Sequence, residues 1–192
     1  MTDYIKESLA VVSENFRRLE SRAQVVSAIA EKWIAALSGG NKVIFCGNGG
    51  SAADAQHLSA ELMGRYKFDR PPMSAISLTT DTSALTAIGN DYGFESVFAR
   101  QLRGIGRRGD VLVGISTSGN SKNIIAAFKQ AREMGISTIA FTGVGGGAMR
   151  EIADITLAVP SSATNNIQEM HIACGHIICG IVENRFFGGD NK

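Results

Sequence analysis

One segment of the chain, residues 42–66, constrains its fold more than any other. It reads KVIFCGNGGSAADAQHLSAELMGRY. A short apolar run typical of a buried strand leads into a glycine-rich break, and helix-forming residues follow from Ala52 onward. The segment therefore predicts a strand, a tight turn and a helix in succession, and the free N–H groups at the start of such a helix favour a bound anion.

The same alternation continues along the rest of the sequence. Further β-rich apolar runs occupy residues 75–78, 111–115, 138–141 and 155–159. Helical patterns lie between and after them, at about residues 83–88, 96–102, 122–134, 148–152 and 167–186. Such alternation predicts an α/β fold with a doubly wound parallel sheet of about five strands flanked by helices, whose ligands bind beyond the carboxyl ends of the strands.

Residues 4–37 predict two further helices, as an N-terminal extension (1–40) to an α/β core (41–192) within a single domain of 192 residues. On the first of these helices, apolar residues recur at spacings of four, three, four and three, and they are Ile5, Leu9, Val12, Phe16 and Leu19. They form a narrow seam of the kind that packs against another helix. Two interpretations stay open, since the seam either packs on its own domain or joins subunits into a helical bundle.

The composition excludes several classes of partner. The net charge is +1 and 19% of the residues are charged, without a long basic run, so neither nucleic acid nor an anionic membrane is expected as the main partner. Charged residues among the first twenty exclude a signal-peptide core, and no apolar stretch is long enough to span a membrane. Three cysteines in apolar contexts are typical of buried thiols in a reducing cytoplasm.

A second loop suited to ligand binding follows the 111–115 strand and reads STSGNS from Ser116 to Ser121. Its hydroxyls and the N-terminus of the next helix predict an anion site, although a helix cap with an ordinary turn explains the same residues. This loop lacks the lysine and the glycine spacing of a nucleotide P-loop, and the loop from Gly47 to Ser51 lacks the dinucleotide fingerprint. The pattern favours a sugar phosphate as ligand and no nucleotide cofactor.

Two other glycine-containing segments carry weaker signals. Residues 143–147 are expected only to free the chain between a strand and a helix. Residues 89–93, GNDYG, are typical of a turn. Because they follow the second strand, Asn90 and Asp91 are also placed to meet sugar hydroxyls.

Candidate acid/base or metal-binding residues lie on two helices. His57 and Glu61 are four residues apart and share one helix face, where they suit zinc binding, proton transfer or an ordinary solvated surface. The closing helix carries the polar residues Gln168, Glu169, His171 and His176. Its histidines stand in an apolar sequence, for which a core histidine is the more common explanation.

Four motifs, in chain order, carry a resemblance to a known family. They are CGNGGSAADAQH followed by Glu61, GNDYGF, GISTSGNS, and IQEMH with a second histidine. Together they resemble the bacterial phosphoheptose isomerase family, which has the sugar isomerase (SIS) fold, over essentially the whole chain. The resemblance implies interconversion of sedoheptulose 7-phosphate and D-glycero-D-manno-heptose 7-phosphate, the first step of ADP-heptose synthesis for the lipopolysaccharide core and related surface glycans. It also implies a cytoplasmic homotetramer with sites at subunit boundaries.

The resemblance further implies roles for individual residues. Those matching the substrate and phosphate site are Asn48, Gly49, Gly50, Glu61, Asn90, Asp91, Ser116, Thr117, Ser118, Ser121 and Gln168. Those matching zinc-associated positions are His57, Glu61, Gln168 and His176. Of these, Glu61 and His176 also match the family's acid/base pair.

These roles fit the chemistry of an aldose–ketose isomerase. Such an enzyme moves a proton between adjacent carbons through an ene-diol, which requires one group for the carbon-bound proton and another for the oxygen protons. One tension concerns the metal, because eight residues of regular helix separate Gln168 from His176 by about 12 Å, too far for one ion. Either the helix begins after Gln168, or the ligands of one site come from two chains.

Two other functions within the same fold are alternatives. A non-catalytic SIS protein, similar to the factor that associates with the replication initiator, would not need an intact site, whereas Gly50, Glu61, Ser118 and His176 are all present. A regulatory module that senses sugar phosphates would need an additional domain, for which 192 residues are expected to leave no room. The sequence therefore favours the enzyme.

Overall fold

The computed structural model describes residues 1–188, and its centre is an all-parallel sheet of five strands in the order β2-β1-β3-β4-β5. The strands are β1 Val43–Gly47, β2 Ala75–Ser77, β3 Val111–Ile115, β4 Ser137–Thr142 and β5 Ile155–Ala158. This confirms the predicted α/β fold with its doubly wound sheet. The single domain 1–192 stays a prediction, and its last four residues lie outside the described part of the chain.

Helices cover both faces of the sheet. They are α1 Thr2–Leu19, α2 Ala23–Ser38, α3 Gly50–Met63, α4 Thr82–Tyr92, α5 Val97–Ile105, α6 Lys122–Met134, α7 Gly147–Arg150 and α8 Thr164–Phe187. Short 3₁₀ turns, Glu20–Arg22 and Phe94–Ser96, precede α2 and α5. All the predicted helices are present, and α6 has the predicted bounds.

The core consists of two layers because successive strand residues face opposite sides of the sheet. Phe45 of β1 packs with Trp33 of α2 and with apolar residues of α3 and α8. Its neighbour Ile44 packs on the other face with Phe98 of α5 and Phe128 of α6. Since β1 and β3 are covered on both faces, they are continuous apolar runs and not alternating ones.

The sheet topology places a ligand crevice between β1 and β3. From β1 the chain crosses to β2 on one side through α3, whereas β3 lies on the other side of β1 and leads on to β4 and β5. In open parallel sheets such a change of direction leaves a crevice beyond the carboxyl ends of the two central strands. The glycine loop after β1 (residues 47–51) and the hydroxyl loop after β3 (residues 116–121) meet there.

The apolar seam of α1 is mostly uncovered within the chain. Ile5, Leu9 and Phe16 are exposed, and Leu19 at the end of the helix is buried. Packing on the same domain is therefore realised only at the C-terminal end of the seam.

The segment at residues 89–92 differs from its prediction. It belongs to the last turn of α4 and is not a free turn, so this expectation is wrong. The helix ends at Gly93, which has a φ of 82°, and a glycine adopts such a backbone at little cost. Asn90 and Asp91 therefore occupy the C-terminal turn of a helix.

Among residues 1–188, no helix combines the length and the apolar character needed to cross a membrane.

Candidate functional site

The hydroxyl loop after β3 forms a compact cluster of donors. Ser116 Oγ lies 2.8 Å from Ser121 Oγ and 3.4 Å from Ser118 Oγ. Ser121 precedes α6, yet its side chain makes no capping hydrogen bond. The first N–H groups of a helix have no partner within it, and together with the serine hydroxyls they suit a phosphate.

The segment at residues 143–149, which leads into α7, contacts the hydroxyl loop. The backbone N–H of Gly143 donates to Thr117 O at 3.0 Å, and that of Met149 donates to Gly119 O at 2.9 Å. Asn120 Oδ1 accepts from Ala148 N at 2.9 Å. The expectation that residues 143–147 only free the chain is therefore wrong. Backbone hydrogen bonds of this kind leave no signal in the residue types.

An amide pair joins the two loops at the crevice. Asn48, after β1, donates to Asn123 Oδ1 at 2.9 Å, and Asn123, in the first turn of α6, donates back to Asn48 Oδ1 at 2.8 Å. Asn123 is 3% exposed, so this partner of Asn48 is a buried polar residue that the sequence did not distinguish from an ordinary helix residue. Each amide keeps one N–H and further acceptor capacity for a ligand.

Gln168 lies against the start of α3. A Cβ built on Gly50 would come within 2.5 Å of Gln168 Nε2, so a side chain at position 50 would displace the Gln168 amide. Helix α8 begins at Thr164 and includes Gln168. The alternative in which the helix begins after Gln168 is therefore wrong, and the 12 Å spacing to His176 estimated from helix geometry stands at about that value.

Asn90 and Asp91 are exposed at the end of α4, where the Asn90 amide donates to Asp91 Oδ1 at 2.8 Å. An exposed ion pair between Glu95 and Lys122, at 3.0 Å, connects the next segment with the start of α6. This contact brings the end of α4 to the same edge of the sheet as the hydroxyl loop.

His57, Glu61 and His176 form a second cluster. His57 Nε2 lies 2.7 Å from His176 Nε2 and 3.2 Å from Glu61 Oε1. Helix α3 contributes the first two residues and α8 the third, and the Tyr66 ring stacks on His176 with centroids 5.8 Å apart. A cavity of about 440 Å³ opens beside His176, lined in part by Tyr66 and Ile177.

The donor chemistry of this cluster suits a metal ion. All three ligand atoms lie within 4.8 Å of one another. A proton on His57 Nε2 serves only one of its two close acceptors well, whereas a cation satisfies the lone pairs of all three groups at once. Two imidazoles and a carboxylate are the ligand types that zinc prefers.

The second cluster lies further along α3 than the loops at the crevice. His57 and Glu61 follow Gly50 by seven and eleven residues, which is roughly 10 and 16 Å along a regular helix. The chain therefore brings the loops together at the crevice, and His57, Glu61 and His176 together further along α3 and α8.

Comparison with known proteins places the chain in a family. The SIS domain model matches residues 3–143. The phosphoheptose isomerase of Akkermansia muciniphila is 58% identical over 98% of this chain and 100% of its own length. That of Sulfurimonas denitrificans is 52% identical over 98% of both. The chain belongs to the phosphoheptose isomerase family of SIS-domain proteins.

A solved structure agrees with this membership. The phosphoheptose isomerase from Neisseria gonorrhoeae superposes with a TM-score of 0.91 at 44% identity, covering 95% of this chain and 98% of that one. The family resemblance, the SIS fold and the prediction of an enzyme are thereby confirmed.

The third histidine has a different environment from the other two. His171 is 1% exposed, packs on Phe141, and its Nε2 lies 3.1 Å from the carbonyl oxygen of Thr142, to which it donates. Its Nδ1 has no hydrogen-bond partner in the described part of the chain. Burial lowers the pKa of His171 to about 4, against the opposing effect of the Thr142 hydrogen bond. The core position predicted from the apolar sequence is therefore confirmed for His171, whereas for His176, which is only partly buried and contacts His57, it is wrong.

Asp54, one turn before His57 on α3, escaped the sequence analysis. Burial raises the pKa of its carboxyl to about 6, and the nearby His57 acts in the opposite direction. Its Oδ2 is buried without a hydrogen-bond partner among residues 1–188. The cluster of His57, Glu61 and His176 thus has a second carboxyl beside it, whose charged form is disfavoured by burial.

Proposed function

We propose that this enzyme interconverts sedoheptulose 7-phosphate and D-glycero-D-manno-heptose 7-phosphate. The observation that carries the proposal is the cluster of His57, Glu61 and His176, in a chain 58% identical to a phosphoheptose isomerase. An acid/base cluster of this kind, together with a separate anion site, is what isomerisation of a sugar phosphate requires.

The hydroxyl loop would hold the substrate phosphate. Ser116, Thr117, Ser118 and Ser121 surround the start of α6, where hydroxyls, backbone N–H groups and the helix dipole all favour an anion. The sugar would contact the polar residues around the crevice and at the helix ends, which are Asn48, Gly49, Gly50, Asn90, Asp91 and Gln168. This arrangement fixes the phosphate end and leaves the carbonyl end for the acid/base residues.

Glu61 and His176 would carry out the proton transfers. One of the pair takes the carbon-bound proton to give the ene-diol, and the other moves protons between the two oxygens. His57, in contact with both, orients them.

Zinc is the cofactor that we propose for the second cluster, with His57, Glu61 and His176 as ligands and Gln168 as a further one. When bound, zinc supplies a Lewis acid that polarises the sugar carbonyl. Because Gln168 and His176 are about 12 Å apart along α8, Gln168 would have to come from another subunit. A carboxylate that binds zinc is a weaker base, so Glu61 would not perform both tasks at the same moment.

A homotetramer with sites at subunit boundaries accounts for two observations. The exposed seam of α1 continues into an apolar cavity of about 340 Å³ between α1, α2 and α8, lined by residues such as Phe16, Val26 and Ile181. Contiguous apolar surface of this kind marks protein interfaces. In addition, Gln168 lies about 12 Å from His176 along α8, which favours a site whose ligand set is completed by a neighbouring subunit.

We also propose that the reaction takes place in the cytoplasm, as the first step of ADP-heptose synthesis for the lipopolysaccharide core and related surface glycans. All three cysteines are buried thiols, a state typical of a reducing compartment. The proposal agrees with the activity named for the relatives.

The test is turnover of sedoheptulose 7-phosphate by purified, metal-analysed protein, followed by proton NMR in D₂O. We expect formation of the aldoheptose phosphate with deuterium at C2, because the ene-diol takes its new proton from a group that exchanges with solvent. Absence of conversion would reject the proposed reaction, and conversion that persists unchanged in Glu61→Gln would reject the proposed role of Glu61.

A further inference from the structure

Helices α3 and α8, which carry the acid/base cluster, run side by side in the same direction. Their contacts join residues 117 to 119 positions apart. The contacting pairs, including one just after α3, are Gly50 with Gln168, Leu58 with Gly175, His57 with His176 and Tyr66 with Glu183. A slip of one turn would move each pair apart by about 5.4 Å. The register between the helices therefore decides whether the cluster forms.

A buried carboxylate lies near the C-terminal end of this contact. Glu183 of α8 is 1% exposed and accepts hydrogen bonds from the backbone N–H groups of Tyr66, Lys67 and Phe68 at 2.9, 2.6 and 3.2 Å. Arg70 Nε donates a fourth, at 3.0 Å. Burial alone raises the pKa of Glu183, but these hydrogen bonds outweigh it and hold the pKa below its ordinary value. Glu183 thus holds, as a carboxylate, the segment directly after α3.

Arg70 connects this carboxylate with the end of α3. Its side chain is 1% exposed and donates to the carbonyl oxygens of Glu61, Leu62 and Gly64 at 2.7, 2.8 and 3.1 Å. The last carbonyls of a helix have no partners within it, and a cation there also complements the helix dipole. One of these hydrogen bonds reaches the backbone of the acid/base residue itself.

Tyr66 extends the same contact to His176. Glu183 fixes the backbone N–H of Tyr66, and the Tyr66 ring lies nearly parallel to the His176 ring, with 21° between the planes. The ring therefore limits rotation of the imidazole on the side that opens to the cavity.

We propose that Glu183 and Arg70 are positioning residues: their ion pair fixes the register between α3 and α8 and holds Tyr66 against His176. This role rests on the proposed function of Glu61 and His176. This role is distinct from catalysis. Both side chains are 1% exposed, and their polar atoms are occupied by hydrogen bonds within the protein, so neither residue can contact a substrate. The consequence of this role is that the turnover rate depends on a salt bridge outside the substrate site.

The first variant is Glu183→Gln, which keeps the size of the side chain and removes its charge. A displacement of the acid/base pair by a fraction of a turn is expected to lower kcat by about tenfold or more. Because the phosphate loop is unaffected, KM is expected to change by less than about twofold. A crystal structure of the variant is expected to show a longer separation of His57 Nε2 and His176 Nε2 than in the wild type.

The chain offers a matched control away from the contact between α3 and α8. Asp110, also 1% exposed, accepts hydrogen bonds from Lys42 N, Lys42 Nζ and Arg107 N at 3.0, 2.7 and 2.8 Å. It precedes β3 and so lies at the amino ends of the strands. Asp110→Asn is expected to lower the melting temperature to a similar extent and to leave kcat within about twofold of the wild type. Equal effects of the two variants on kcat would overturn the proposal.

A second pair of variants decides the matter if Glu183→Gln does not fold. Tyr66→Leu removes the stacked ring and is expected to lower kcat, whereas Tyr66→Phe retains the ring and is expected to restore most of it. Wild-type kcat in Tyr66→Leu would overturn the proposal. If the wild type itself does not convert sedoheptulose 7-phosphate, the proposed function fails separately. The His57 to His176 separation in crystals of Tyr66→Leu then tests the positioning role, which an unchanged separation rejects.

Discussion

The hydroxyl loop and the acid/base cluster are built in different ways. The loop takes its three serines from six consecutive residues, and their hydroxyls already lie within 3.4 Å of Ser116 Oγ. The cluster takes its members from two helices, with His57 and His176 separated by 119 positions in the sequence. The loop is therefore a local structure that follows from one strand and one helix start, whereas the cluster exists only when two helices pack in one register.

This difference indicates which substitutions should affect the hydroxyl loop and which should affect the cluster. Under the proposed function, a change in the loop would alter the binding of the substrate phosphate. A change in the cluster, or in the distant residues proposed to set its register, would alter the chemistry while the phosphate still binds. Substitutions in the loop should therefore change mainly KM, and substitutions in the cluster should change mainly kcat.

The largest effect is expected from Glu61→Gln. Removing a general acid or base lowers the rate by 10²–10⁴-fold, so we expect a loss of kcat of about 10³-fold. The fold and the proposed tetramer should persist, because the amide keeps the shape of the side chain, and circular dichroism and light scattering would check this. Wild-type kcat in this variant would remove Glu61 from the mechanism.

The next effect concerns the pH dependence of stability that is expected from the buried His171. Burial lowers the folded-state pKa of His171 to about 4, so below the ordinary value near 6.5 the unfolded chain binds a proton that the folded chain does not. Stability is therefore full above about pH 6.5 and is expected to fall by about 3 kcal/mol as the pH drops to 4. Urea titrations across this range would measure the fall. In His171→Gln, which keeps a donor for Thr142, this part of the pH dependence should disappear, and an unchanged slope would contradict the assignment.

Zinc binding should raise the free energy of unfolding through the His57, Glu61 and His176 cluster and not through the hydroxyl loop. A ligand at 100 times its dissociation constant raises the free energy of unfolding by about 2.7 kcal/mol. We expect an increase of this size on adding zinc to chelator-treated protein, with loss of the increase in His57→Ala and its retention in Ser118→Arg. Equal stabilisation of all three proteins would place the metal elsewhere.

The smallest effect is expected from Ser118→Arg, which crowds the anion site and removes one hydroxyl. A hydrogen bond to a charged group contributes about 1.5–3 kcal/mol, so KM should rise by about tenfold or more while kcat changes less. Inhibition by inorganic phosphate should weaken in parallel. A wild-type KM would argue against phosphate binding by this loop.

Most of the fold could be predicted from the sequence because its signals are local. Apolar runs of four or five residues, glycine breaks and helical periodicity indicated all five strands and the bounds of α6. The error at residues 89–92 has a local origin too, since Asn and Asp before a glycine suit both a free turn and the last turn of a helix.

Only part of the candidate site could be predicted from the sequence. The serines of the loop and the pair of His57 and Glu61 are visible in short motifs. Asn123, Arg70 and Glu183 are not, because an amide or a charged residue is usually solvent-exposed. Only their burial, at 3% and 1% exposure, and their hydrogen bonds distinguish them from ordinary surface residues.

By itself, the sequence determined the succession of strands and helices along the chain, the glycine turn, the hydroxyl loop and the membership of a family, since each depends on residues close together or on motifs in order. The tertiary structure alone decided that His176 meets His57 while His171 enters the core, and that Gln168 contacts Gly50. The physical reason is that contacts between α3 and α8 depend on how the two helices pack on the sheet, and no local pattern contains their register.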